Sequence, residues 1–326
     1  MAKPRLRIVL AMSLLLAWNA AAARHHLLVV SGIGGTDEFN QRFANWAGSL
    51  YQSAIDAGID PADIHLLSAQ PVPQASARTR AADKATLLRA IDEIGASAGA
   101  GDTVFIVLIG HGNPRGDGAL FNLAGPDISA AELAAKLAGF TEPTLVVVNT
   151  ASASGPFVSA LSGDNRIIIT ATSSGREYHA AIFGEYFVAA LADAGADRDK
   201  DQRISMLEAF DYARREVRRE FDSEKRLLTE HALLDDNGDG VGSLEPAELA
   251  TDGGLANRTY LQQPRSLATG ANAEVVAMLE RKRDIEIAIG ELKKRRESLS
   301  SNLYYDELEV LLVDLALLSR KIRTLE

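Results

Sequence analysis

Short apolar runs rich in β-branched residues recur along the first two thirds of the chain, with stretches of helical periodicity between them. The runs predict strands at residues 26–30, 64–67, 103–109, 144–148 and 166–170. Apolar residues at three- and four-residue spacing predict helices at 37–55, 85–94, 130–137, 183–191 and about 205–224. Strands that alternate with helices favour an α/β fold with a mostly parallel sheet. Near-continuous hydrophobicity in the strands indicates that the sheet is covered on both faces.

The composition changes near Thr251, where four glycine and proline residues within twenty positions mark a loose connection. We therefore predict an α/β domain over residues 24–255 and a separate helical segment over 271–326. That segment carries two apolar seams at three- and four-residue steps, one at 275, 278, 285, 289, 292 and 299 and one at 308, 311, 315, 318, 322 and 325. The polar stretch 298–302 turns the chain, so the two helices either fold back as a hairpin or self-associate as a coiled coil through residues 275–326.

The N-terminus has the pattern of a signal peptide. Three basic residues precede an apolar run over 8–18, and alanines at 20–23 supply the small residues that signal peptidase requires. An apolar run of this length is shorter than the roughly 20 residues that span a bilayer, so we predict no membrane span after cleavage. The rival interpretation is a buried N-terminal helix. We expect cleavage after Ala23 and export to the periplasm or the medium.

Charge and cysteine content exclude several functions. The net charge is −10, and it falls to −13 when residues 1–23, with three basic and no acidic residues, are removed. An acidic chain is a poor partner for nucleic acid, and the basic run at 293–296 is more typical of a solvated helix face. The chain contains no cysteine, so it has no disulfide and no thiolate chemistry.

Two strand ends carry the residues of chemical interest. The strand predicted at 103–109 ends in Gly110-His111-Gly112, and the next ends in Asn149-Thr150-Ala151-Ser152-Ala153-Ser154-Gly155. Functional groups collect at the carboxyl ends of strands in open α/β sheets. A histidine base and a small nucleophile on neighbouring strand ends are an arrangement suited to acyl transfer, with glycine N–H groups available to an oxyanion.

This pairing resembles the clan of cysteine peptidases that includes legumain, caspases and gingipains, in which His-Gly closes one strand and Ala-Cys closes the next. The resemblance covers roughly residues 24–221, and Ala151-Ser152-Ala153-Ser154-Gly155 is similar to the Ala-Cys-Glu-Ser-Gly of legumain-like enzymes. It implies a caspase-like three-layer α/β/α sandwich. It further implies that His111 is the base, Ser152 stands at the nucleophile position and the Gly112 amide belongs to the oxyanion hole.

The departure from this family lies at the nucleophile. A thiolate of low pKa needs little help from histidine, whereas a serine hydroxyl must lose its proton during attack. Three hypotheses follow: a degenerate peptidase that binds a peptide or protein segment in the old cleft, a hydrolase that uses a Ser152–His111 dyad, and a scaffold that acts through its C-terminal helices. In a purely structural interpretation, His111 is a turn residue and Ser152 a helix cap. Glu177 and His179 follow the fifth strand, and we assign neither a role.

Two acidic loops suggest structural calcium. In the first, over 197–208, oxygen ligands stand at positions 1, 3, 5, 9 and 12 of an EF-hand-like loop, with a backbone carbonyl at position 7. These residues are Asp197, Asp199, Asp201, Ser205 and Glu208, with Arg203 for the carbonyl. Gln202 takes the place of the usual glycine. The alternative is a solvated acidic turn.

The second loop, over 235–248, begins with Asp235, Asn237 and Asp239 and keeps the glycine at position 240. Pro246 occupies its last ligand position, so Glu245 or Glu248 would have to substitute. Extracytoplasmic calcium reaches concentrations that fill even weak loops of this kind.

Overall fold

The computed structural model describes residues 23–246, 252–262 and 273–325. Residues 1–22, which make up nearly all of the predicted signal peptide, lie outside the described residues. Among the described residues, ten strands form two sheets. They are β1 (His25–Ser31), β2 (Ile64–Ser68), β3 (Thr79–Ala81), β4 (Thr103–Ile109), β5 (Gly112–Arg115), β6 (Gly118–Phe121), β7 (Ile128–Ser129), β8 (Thr144–Asn149), β9 (Arg166–Thr170) and β10 (Leu233–Asp235).

The main sheet has seven strands in the order β10-β9-β8-β4-β1-β2-β3. All neighbours are parallel except β10, which runs antiparallel to β9. Strands β5, β6 and β7 form a small antiparallel sheet. The chain therefore has an α/β fold with a mostly parallel sheet, as the alternation of strands and helices predicts.

Helices cover both faces of the main sheet, which explains why its strands are apolar throughout. One face packs against α1 (Asp37–Asp56), α5 (Phe183–Ala190) and α6 (Met206–Ser223). The other packs against α2 (Lys84–Gly95), α3 (Ala130–Leu137) and α4 (Phe157–Leu161). Alternate residues of β1 enter the two cores, with Leu27 and Val29 in the first and Leu28 and Val30 in the second.

The five predicted strands and five predicted helices are all present, with ends within a residue or two of their predicted positions. Periodicity missed β3, β10, α4 and the small β5-β6-β7 sheet, because elements of two to five residues carry too few apolar positions to show a period. The predicted boundary at Thr251 lies outside the described residues. Beyond the predicted end of the α/β domain at residue 255, Ala256 and Leu261 are still buried in its core.

The C-terminal segment forms two helices that pack on each other, α7 (Ala273–Lys294) and α8 (Ser301–Leu325). A short connection that includes a 3-10 turn at Arg296–Ser298 joins them, so they are antiparallel. The structure thus shows a helical hairpin, which is one of the two arrangements that the sequence left open. None of the helices among the described residues is long and apolar enough to cross a membrane.

Candidate functional site

The two predicted site residues lie next to each other in the fold because β4 and β8 are neighbours in the sheet. The last residue pair of the two strands is Leu108 and Asn149. His111 comes two residues after the end of β4, and Ser152 comes three residues after the end of β8. The structure therefore brings the His-Gly turn and the serine turn together at the carboxyl edge of the sheet.

Ser152 exchanges two hydrogen bonds with the backbone of Gly112. Its Oγ accepts from the Gly112 N–H at 3.2 Å and donates to the Gly112 carbonyl at 3.0 Å. The residue is only 2% exposed. A Cβ atom on Gly112 would lie 2.4 Å from the Ser152 carbonyl oxygen and 2.8 Å from that of Leu120, so the close approach requires glycine.

His111 packs against α1. Its ring lies edge-on to two phenylalanines, with centroids 4.6 Å from Phe39 and 5.0 Å from Phe43. Burial lowers the pKa of His111, and hydrogen bonding with the Gly34 backbone opposes this effect. Within the described part of the chain, no hydrogen bond joins His111 to Ser152.

The serine turn is also tied to the end of β9. The hydroxyls of Ser154 and Thr172 lie 3.1 Å apart, and Thr172 Oγ1 accepts from the Gly155 N–H at 3.2 Å. A Cβ atom on Gly155 would lie 2.3 Å from the Ser173 carbonyl carbon. The backbone between Ser152 and Ser154 is strained, since Ala153 has φ of 53°. The turn is therefore a fixed structure held by both neighbouring strands.

Glu177, to which the sequence assigned no role, connects three segments at this edge. Its carbonyl accepts from the Ala153 N–H at 2.8 Å. Its carboxylate accepts from the N–H and hydroxyl of Ser173, and it bonds His231 through both the backbone N–H and the ring Nδ1 at 3.0 Å. Because these partners are far apart in sequence, no local pattern could have identified Glu177. His179, by contrast, is exposed beside Tyr178.

A cavity of about 300 Å³ opens at the same edge, beside His231. Its apolar lining comes from Phe183, Val217, Leu228 and Leu244, with Arg214, Arg218 and Glu230 among its polar residues. It lies at this edge because β10 runs antiparallel to β9, which places the residues preceding β10 beside the carboxyl end of β9. The cavity can accommodate an apolar side chain of a ligand next to an arginine.

The first acidic loop has part of the geometry of a cation site. Carboxylate oxygens of Asp197, Asp199 and Glu208 lie within 4.8 Å of one another. Gln202 adopts φ of 68°, so it makes the turn that glycine usually makes in such loops. Three carboxylates at this spacing could hold a metal ion.

Several groups of the loop, including Glu208, already have hydrogen-bond partners. Asp201 Oδ2 accepts from Arg203 at 2.9 Å and from Lys282 of α7 at 3.3 Å. Glu208 completes a capping box with Ser205 at the start of α6, and its other oxygen accepts from the Arg198 N–H at 2.8 Å. Ser205 and Glu208 thus serve as a helix cap in this structure, and a cation would have to compete with these hydrogen bonds.

The second acidic loop has a buried carboxylate at its first position. Asp235 is 1% exposed, and its Oδ2 has no hydrogen-bond partner among the described residues. Asn237 accepts a hydrogen bond from the Asp239 N–H, and Asp239 accepts from the Val241 N–H and from the Asn237 amide. Glu245 pairs with Arg214 at 2.9 Å, and Glu248 lies outside the described residues.

No protein-family model and no curated protein matches this chain. Among solved structures, the chain is similar to protein GSU0716 from Geobacter sulfurreducens, at 12% sequence identity and a TM-score of 0.41. The match covers 65% of this chain and 92% of that protein. So weak a likeness says nothing about the activity or the family of this chain.

Proposed function

We propose that this protein is a degenerate member of the legumain- and caspase-like peptidases, with a caspase-like α/β/α sandwich. In this proposal it binds an extended peptide or protein segment at the carboxyl edge of its sheet and does not cleave it. The support for the family is the pairing of Gly110-His111-Gly112 with Ala151-Ser152 on adjacent strand ends. The cavity beside His231 lies at the same edge of the sheet and could hold a side chain of the bound segment.

The hydrogen bonding of Ser152 supports the part of the proposal that says the protein does not cleave the segment it binds. Attack by a serine requires a base in contact with the hydroxyl proton. Here that proton is donated to the Gly112 carbonyl, which is not a base at neutral pH, and the hydroxyl is buried. His111 is held by two phenylalanines of α1. The arrangement therefore favours a binding site over a serine hydrolase.

A serine hydrolase is the second candidate, and one observation favours it. The Gly112 N–H lies 3.2 Å from Ser152 Oγ, so a donor for an oxyanion stands next to the nucleophile position. A serine-directed fluorophosphonate probe, read by intact mass, separates the two candidates. We expect no labelling of the mature protein. Labelling that disappears in both Ser152→Ala and His111→Ala would overturn the binding proposal and establish a hydrolase.

The absence of cysteine allows a sharper test of the family. Ser152→Cys introduces the only thiol of the chain, and Ser154→Cys introduces one at a matched position in the same turn, at 1% exposure. If the site descends from a cysteine peptidase, the thiol at position 152 should react with iodoacetamide at least about tenfold faster at neutral pH, because its thiolate is favoured. Equal rates at positions 152 and 154 would argue against the family.

Two accessory features belong to the same proposal. We propose export to the periplasm or the medium after cleavage behind Ala23, and structural Ca²⁺ at the loop that contains Asp197, Asp199 and Glu208. The two fit together, because calcium outside the cytoplasm is plentiful enough to occupy a weak site. The second loop, with Asp235, Asn237 and Asp239, is the weaker candidate of the two.

A further inference from the structure

Helix α8 presents a row of exposed apolar side chains on the face that points away from α7. Leu303, Val310, Val313 and Leu317 are 47%, 62%, 49% and 53% exposed. Their spacing of seven, three and four residues keeps them on one side of the helix. The face toward α7 is formed by Tyr304 and Ile322, which are buried, and by the half-buried Leu308, Leu311, Leu315 and Leu318. The helix is therefore apolar on two opposite sides, and α7 covers one of them.

A two-helix hairpin cannot bury a second apolar face by itself. Helices with such faces are stable when further helices complete a bundle, and a contiguous apolar row on a surface helix marks an interaction site. The row here extends over fifteen residues, from Leu303 to Leu317. At a rise of 1.5 Å per residue, this is about 21 Å of helix.

The charges beside the row identify the partner. The N-terminal half of α8 is acidic, with Asp306, Glu307 and Glu309, and the C-terminal half is basic, with Arg320 and Lys321. A helix with opposite charges in its two halves is complementary to a copy of itself that runs the other way. Such an arrangement has a two-fold axis, which is the commonest symmetry of protein oligomers.

We propose that α8 pairs antiparallel with α8 of a second copy of this chain, so that two hairpins form a four-helix bundle. The two-fold axis passes close to Asp314, so the two copies of this carboxylate lie near each other, and the apolar contacts and the other charge pairs must outweigh their repulsion. In this register Glu307 faces Lys321 of the other copy and Glu309 faces Arg320, while Val310 and Val313 pack against Leu317. The proposal concerns assembly and goes beyond the peptide-binding function, on which it does not depend.

Oligomeric state tests the proposal on the full mature chain, by light scattering behind size exclusion and by sedimentation. We expect a dimer for the natural protein and a monomer for the double variant Val310→Glu, Leu317→Glu. The matched control is Leu312→Glu, since Leu312 is 47% exposed on the same helix but lies off the row. It should remain a dimer. Circular dichroism melting should be unchanged in the control, and the double variant should keep its helical content because the replaced side chains are exposed.

Charge reversal and cross-linking test the orientation. Glu307→Lys with Glu309→Lys should dissociate the dimer, and adding Arg320→Glu with Lys321→Glu should restore it. A cysteine at Val313 should form a disulfide with its own copy, whereas cysteines at Leu303 should not, because the antiparallel register separates them by about 33 Å along the axis. A monomer at the highest soluble concentration, or efficient cross-linking at Leu303, would overturn the proposal.

Discussion

At the scale of single residues, Ser152, Glu177 and Glu230 at the carboxyl edge of the sheet bond backbone groups, whereas the buried Asn149 Nδ2 has no hydrogen-bond partner among the described residues. Ser152 bonds both the N–H and the carbonyl of Gly112, and Glu177 and Glu230 each accept two or more N–H groups. Each such bond contributes about 0.5–1.5 kcal/mol net, and a buried polar group without its partner costs more. To act on a substrate, Ser152 would have to give up both of its hydrogen bonds with Gly112.

Glu230 gives a prediction at this scale. It is buried, it accepts from the Ile182 and Phe183 N–H groups, and burial, assisted by Glu177 and Glu220, raises its pKa to about 7 from 4.5. The folded state therefore favours the protonated form. The resulting contribution to stability is complete below pH 4.5 and is lost as the pH rises through 7.

We expect the free energy of unfolding of the natural protein to fall by about 3 kcal/mol, relative to Glu230→Gln, between pH 4.5 and 8. Urea unfolding of both proteins across this range measures the difference. Glu224→Gln, at an exposed glutamate, is the control and should show no relative change. Parallel curves for Glu230→Gln and the natural protein would show that Glu230 is ionised in the folded state throughout.

At the scale of elements, the loop over 197–208 joins the α/β domain to the C-terminal hairpin. Lys282 of α7 is 7% exposed, and its Nζ lies 3.3 Å from Asp201, 3.6 Å from Glu286 and 4.0 Å from Asp199. Its ammonium thus balances part of the negative charge of the loop. The loop also begins α6, because Ser205 and Glu208 form the capping box of that helix. Its conformation therefore affects two helices at once.

Calcium gives the prediction at this scale. We expect Ca²⁺ to raise the unfolding temperature of the mature protein over that in EGTA, because a cation that binds only the folded state adds RT ln(1 + [Ca²⁺]/Kd) to stability. At one hundred times Kd this is about 2.7 kcal/mol. Asp199→Asn should abolish the increase, and Asp222→Asn, at an exposed aspartate outside both loops, should preserve it.

If Asp199→Asn keeps the increase and Asp235→Asn removes it, the second loop holds the cation and our assignment is wrong. An unfolding temperature that does not respond to Ca²⁺ at millimolar concentration would remove calcium from the proposal. Calorimetric titration of the same variants reports binding independently of stability.

At the scale of the whole molecule, the two edges of the main sheet carry different groups. The carboxyl edge of the sheet carries His111, Ser152 and the cavity, whereas the amino edge holds the start of β1. There the Arg24 N–H donates to Asp102 at 2.7 Å, and the Arg24 guanidinium bonds Asp63. Asp63 and Asp102 have side chains that are 8% and 13% exposed.

Maturation gives the prediction at this scale. Cleavage behind Ala23 would convert the Arg24 N–H into an α-ammonium, and its hydrogen bond with Asp102 would become charge-assisted. We expect a chain that starts at Arg24 to be more stable by about 1 kcal/mol than one that starts at Ala22. Asp102→Asn should reduce both stabilities and remove the difference between them. A difference that survives Asp102→Asn would mean that another interaction is responsible.

The fold class and the positions of the principal elements follow from the sequence, because short apolar runs and an apolar period of 3.6 residues are local patterns. The His-Gly and Ala-Ser strand ends were also evident, since parallel neighbouring strands bring their carboxyl ends together whatever the rest of the chain does. Short elements such as β3, β10 and α4 could not be predicted, because partners distant in sequence stabilise them.

Only the tertiary structure decided which groups the site residues contact. That Ser152 bonds Gly112, that His111 packs against Phe39 and Phe43, and that Glu177 joins Ala153 to His231 depend on distances across three or more segments. Lys282, whose ammonium group bonds Asp201 of the acidic loop, is likewise eighty-one residues away from Asp201 in the sequence. Sequence patterns fix which side chains are available at an edge, and packing fixes which of them meet, because hydrogen bonds act over about 3 Å and local periodicity carries no such information.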